Sequence, residues 1–145
     1  MKQTIIAVIC FLCVSSLYIQ AQKINHPSLL YTPQRIQQVK QRMQHEPKLQ
    51  EAWGDIKKTA DEALQKKDFN RLDYLSLAYL MTDNKEYADV IKEILLKAVE
   101  AESWGDVEMM ARIPAWRSQL GMAHKSFLSA VGYDAAYNVM SSSER

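Results

Sequence analysis

The chain has 145 residues, about one domain's worth, and nearly balances 18 Lys and Arg with 17 Asp and Glu. No basic run suggests nucleic acid and no acidic tail suggests a basic partner, so charge alone selects no ligand. Both cysteines, Cys10 and Cys13, lie in the first apolar run, which leaves the rest of the chain without a thiol for disulfides, metal ligation or thiolate chemistry.

Residues 1–3 (MKQ) give a positive start, residues 4–19 a mostly apolar run, and Ala21 a small residue at a cleavage position. This is the plan of a secretory signal peptide. The run falls short of the roughly 20 residues that span a bilayer. The expectation is therefore a signal peptide over 1–21, cut after Ala21, and a secreted or periplasmic product over 22–145 with no membrane attachment. Neither cysteine is preceded by the small residue a lipoprotein signal needs.

The remainder reads as helix after helix. INHPSLLYTP is an extended lead-in, since residues before proline avoid the helical region. Thr32 can cap a first helix and Pro33 can open it, with Ile36, Val39 and Met43 as its stripe and Glu46-Pro47 as its end. From Pro47, residues Leu49, Ala52, Trp53, Ile56, Ala60, Ala63 and Leu64 recur at helical spacing on one face. The third helix, RLDYLSLAYLM, leaves only Asp73 and Ser76 polar after Arg71 and must be covered on more than one side. After the turn TDNKE, Tyr87, Ala88, Ile91, Ile94, Leu95, Ala98 and Val99 form another one-sided stripe.

An irregular stretch over 102–119 follows, broken by Gly105 and Pro114. A last long helix is expected from about Trp116 to Met140, apolar over a wide arc that includes Leu120, Ala123, Phe127, Leu128, Ala130, Val131 and Ala135. SSSER then has the look of another helix start, with serine as cap. Half-wet helices thus alternate with nearly all-apolar ones across short turns, and no strand pattern appears. The fold class is all-α, built of helical hairpins in two layers.

Three stretches resemble secreted polysaccharide lyases of the heparinase II/III type and the related alginate lyases. HPSLLYTPQRIQQVKQRM (26–43) is similar to their opening, and LSLAYLMTDNKEYADVIKEIL (75–95) to a hairpin of theirs, with Asp83-Asn84 where Gly-Asp is common. AVGYDAAYNVMSSSER (130–145) resembles a third segment, with Ala135-Ala136 in place of Trp-Leu and so without an aromatic contact. The resemblance implies an incomplete (α/α) toroid, the N-terminal portion of a longer enzyme whose missing C-terminal toroid and β-sandwich would complete it. It also implies β-elimination on uronic-acid polysaccharides: a polar or cationic group neutralises the carboxylate, His or Tyr takes the C5 proton, and an acid protonates the leaving oxygen. The family's catalytic Asn, His and Tyr fall on later toroid helices, so no catalytic residue is assigned in this chain.

The local cluster best suited to an acidic polysaccharide is Trp116, Arg117 and His124. Tryptophan stacks on sugar rings, arginine pairs with carboxylates, and Arg117 and His124 are seven apart, hence on one face of a helix. In a complete toroid these three would border the sugar cleft as substrate-binding residues. The competing structural role has Trp116 as a buried anchor, Arg117 on the surface and His124 bonded between helices. Trp104 reads as a loop residue covering a helix end, despite neighbouring Asp106 and Glu108. Tyr133 and Tyr137 read as core with polar tips, lacking a nearby base, and the His26 ring as packing or bonding locally.

No metal site or cofactor is expected. His26, His45 and His124 are far apart, no HExxH occurs, and the calcium-loop spacing from Asp83 to Glu93 fails because Ala88 stands where glycine is required. Gly-rich phosphate loops, a GxSxG elbow and a basic groove with interleaved aromatics are also missing. The alternative to a lyase fragment is an exported, non-catalytic helical module that binds a glycan or protein partner.

Overall fold

The computed structural model describes residues 24–101, 104–105, 107–112, 114 and 119–145. It is all-helical, with no strand among the described residues. The signal-peptide expectation falls on residues 1–23, outside that set. No described helix is long and apolar enough to cross a membrane.

Helix α1 spans Pro33–Met43. Thr32 is extended and its Oγ1 accepts the Arg35 N–H, with Pro33 in the first turn, so the cap and the proline act as the sequence indicates. Helix α2, Pro47–Lys66, ends on Lys67 in the left-handed region at φ 50°. A 3-10 turn at Phe69–Arg71 follows, its Asn70 N–H held by the Asp68 carboxylate. Helix α3 then runs Leu72–Thr82 and α4 Lys85–Val99.

Two residues make the α3–α4 turn. Asp83 adopts φ 57°, a conformation short polar side chains tolerate, and its N–H returns to the Tyr79 carbonyl at 2.7 Å. Asn84 is extended and accepts the Glu86 N–H, capping α4. One residue closes the first helix and the next opens the second, so no linker is needed.

Short α5 covers Val107–Ala111 and α6 covers Leu120–Ala136. The last helix is thus shorter than the apolar pattern suggests. Gln119 is extended, so α6 starts at Leu120. Beyond Ala136 the chain tightens into a 3-10 turn, Tyr137–Val139, with the Met140 N–H shared between the carbonyls of Ala136 and Tyr137.

Helix α3 packs against α2, α4 and α6, while α4 lies on both α3 and α6. Burial follows: Leu72, Leu75, Ser76, Ala78, Tyr79 and Met81 are all enclosed on α3. Ser76 is tolerated there because its hydroxyl donates to the Leu72 carbonyl one turn earlier, at 2.5 Å. Helix α6 approaches closely at Gly132, where an added Cβ would stand 3.2 Å from Leu72 and 3.4 Å from Ile91. Packing of α1 is lighter, with Ile36 its one buried residue.

Candidate functional site

The most concentrated polar chemistry lies where the lead-in meets α6. Asp134, only 4% exposed, sits in the last turn of α6 among apolar neighbours. Its Oδ2 accepts the N–H groups of Ser28 and Leu29, each at 2.8 Å, and its Oδ1 lies 2.5 Å from His26 Nδ1. The Ser28 hydroxyl donates weakly to Oδ1 at 3.3 Å. Asn138, one turn on, donates from Nδ2 to the His26 carbonyl at 2.7 Å.

A buried carboxylate surrounded by donors keeps its charge. Burial alone would raise the Asp134 pKa, but the Leu29 N–H, the His26 ring and the Ser28 N–H outweigh it and hold the carboxyl below the usual range. The His26 ring stacks on Tyr137 with centroids 3.9 Å apart, and Tyr133 meets Tyr137 edge-on at 5.6 Å. The Arg145 guanidinium lies 4.7 Å from the same Tyr137 ring.

This arrangement refines one sequence expectation. The His26 ring packs, on Tyr137, but its bond is not local: its partner is 108 positions away. Chemically the cluster resembles an Asp–His dyad, yet the carboxylate also holds two backbone N–H groups of the lead-in. It therefore serves as a latch that fixes residues 26–29 to α6.

Of the expected substrate-binding residues, Trp116 and Arg117 lie outside the described residues. His124 is exposed on α6, which removes the option of a histidine held between helices. Helix α6 begins at Leu120 after an extended Gln119, and His124 lies in its second turn. Trp104 behaves as expected: its Nε1 donates to the Ala98 carbonyl at 2.9 Å, covering the end of α4. Lys125 on α6 donates to the Trp104 carbonyl at 3.2 Å and ties that loop down.

A second charged cluster links α2 to α4. Lys57 pairs with Asp61 one turn on at 2.8 Å, and the buried Tyr87 donates its hydroxyl to the same carboxylate. Lys57 and then Tyr87 draw the Asp61 pKa down, while burial and then Asp61 raise that of Tyr87. Tyr31 in the lead-in is pushed up to about 12, first by burial and then by the charge of Asp73. In both places burial and a nearby carboxylate hold a phenol in its neutral form.

Beside Trp104 an open groove of about 330 Å³ runs between α4 and α6. Leu95, Leu96 and Val99 form one wall, Ser129, Ala130 and Tyr133 the other, and Glu144 with Arg145 lie at one end. Its lining is overwhelmingly apolar. Ser129 Oγ is sealed from solvent with no hydrogen-bond partner among the described residues. The groove suits a protein side chain or helix better than a sugar, which needs directional polar partners.

Among the described residues, no group of three or more His, Cys, Asp or Glu is placed to hold a metal ion. Compared with known protein families, with curated proteins and with solved structures, the chain matches none.

Proposed function

We propose that this chain is the N-terminal helical part, an incomplete (α/α) toroid, of an exported polysaccharide lyase of the heparinase II/III or alginate-lyase kind. On this reading the whole protein cleaves uronic-acid glycans by β-elimination, and the present part is inactive alone. One observation carries it: the three segments that resemble those enzymes meet in space. Asp134 of the third segment holds His26, Ser28 and Leu29 of the first. Gly132 of the third lies against Ile91 of the second. The third segment thus ties to the first through one carboxylate and packs on the second at Gly132, as parts of one structural unit would.

In the complete toroid Trp116, Arg117 and His124 would border the cleft, with an acidic polysaccharide as partner. The test is the intact mass of the native secreted product, captured with an antibody against residues 47–100. A mass several times that of this chain leads directly to an assay for unsaturated sugars by ultraviolet absorbance, and Arg117→Ala then should weaken saturation or turnover. A full-length product that releases no unsaturated sugar from any uronic-acid glycan ends the lyase reading. The apolar groove favours a second reading, an exported non-catalytic module that binds a partner. A native mass matching residues 22–145 would select it.

A further inference from the structure

The groove between α4 and α6 has a definable occupant. Helix α4, wet on one side, lies on the two nearly all-apolar helices α3 and α6. Another half-wet helix laid on the far side of α6 would run beside α4. Its bed would be Leu95, Leu96 and Val99 on one flank and Ser129, Ala130 and Tyr133 on the other, the residues that line the groove. Val99 is 79% exposed, a large apolar side chain left on the surface next to a ready-made trough.

The chain itself supplies the start of such a helix. The Ser141 N–H donates to the Glu144 carboxylate at 2.7 Å, and the N–H groups of Glu144 and Arg145 return to the Ser141 carbonyl. The reach of Glu at the third position back to the cap N–H is one half of a capping box, and the bond from Arg145 to Ser141 is the first α-helical one. Glu144 and Arg145 lie at the groove's end. Glu144 and Arg145 thus share the lining of the trough with Leu95, Leu96 and Val99 of α4.

We propose that the α4–α6 groove seats an α-helix that begins at Ser141 and continues beyond Arg145, parallel to α4 and antiparallel to α6. This rests on the reading of the chain as part of a longer protein. Two further turns rise about 11 Å, enough to cover the trough from Leu95 to Val99. An apolar inward stripe would match the apolar trough.

Two extended versions of the chain test it. One adds about three helical turns after Arg145 with Leu and Ala on the stripe at spacings of three and four; the other carries a permuted order of the same residues. The phased extension should raise Tm by about 5 °C or more over the permuted one. Val99→Asp should remove that gain while changing Tm little in the unextended chain. Equal Tm values for the two extensions, or a gain that survives Val99→Asp, would overturn the proposal. So would an unextended chain that sediments as a dimer and is dissociated by Val99→Asp, since the groove would then serve a second copy. The intact mass separates the two ideas. A native product no longer than this chain defeats the fragment reading whatever the extensions do, whereas equal extensions defeat only the groove assignment.

Discussion

Helices α3 and α6 are built from similar material, and the structure surrounds them differently. Both are apolar over most of their circumference, and each carries a polar residue in its buried interior, Ser76 in α3 and Asp134 in α6. Helix α3 has neighbours on three sides and leaves no large apolar side chain exposed. Helix α6 packs on α3 and α4, yet Leu120 and Phe127 stand in solvent at 88% and 51% exposure. Width of the apolar arc therefore states how many sides a helix can bury. How many it does bury depends on the neighbours present.

The contrast is most exposed to test at its apolar residues. Leu75→Ala on α3 empties a fully enclosed site and should cost about 3 kcal/mol, within the range for buried Leu truncation. Leu120→Ala on α6 should change stability by less than about 0.5 kcal/mol. Urea titration of both variants checks this, and comparable losses would show that the start of α6 is covered in solution.

The polar residues differ as sharply. Ser76 is satisfied within its own helix, whereas Asp134 is satisfied only by the lead-in. Asp134→Asn keeps the shape but turns an NH2 toward backbone N–H donors, and should cost about 2 kcal/mol through lost charge-assisted bonds and an orphaned donor. The sign of the pH effect follows from the lowered carboxyl pKa. The unfolded chain binds the proton more readily, so the contribution is complete above about pH 4 and is lost as pH falls through the folded-state value. Denaturant midpoints of wild type and variant should therefore lie closer together at pH 3 than at pH 7. A constant gap down to pH 3 would mean that the latch does not depend on the carboxylate charge.

What the sequence reveals is mostly local. Thr32-Pro33 and Asp83-Asn84 announce helix boundaries because cap chemistry acts within four residues. The one-sided stripes of α1, α2 and α4 and the all-apolar α3 are legible for the same reason. Asp134 is the signal that local patterns pass over: a lone acid in AVGYDAAY can be buried only if donors reach it, and those donors come from 106 positions away. The spacing of Tyr133 and Tyr137 puts both phenols on one stretch of chain, but the histidine beside them is visible only in the fold. Helix α6 ends earlier than its apolar pattern, which continues through Tyr137–Val139 while the backbone there tightens.

Gly132 sharpens the contrast from the covered side of α6. Gly132→Val must push against the Leu72 and Ile91 side chains and should cost about 1–2 kcal/mol, as overpacking does, despite replacing glycine in a helix. Gly121, near the uncovered start of the same helix, has open space where a methyl group would stand, with nothing within 4 Å. Gly121→Ala should therefore stabilise, by about 0.5–1 kcal/mol. Opposite signs along one helix, read by thermal melts, are the expected result.

The smallest expected effect on stability is the most informative about α6. Phe127→Ser replaces a half-exposed side chain by one of similar helix propensity, so the folding free energy should move by less than about 0.5 kcal/mol. Binding of an environment-sensitive dye should nevertheless fall, because Phe127 belongs to the apolar surface that α6 presents to water. Unchanged dye binding together with a loss above about 2 kcal/mol would mean that Phe127 is packed as the α3 side chains are. The two helices would then differ only in which neighbour covers them, not in whether they are covered.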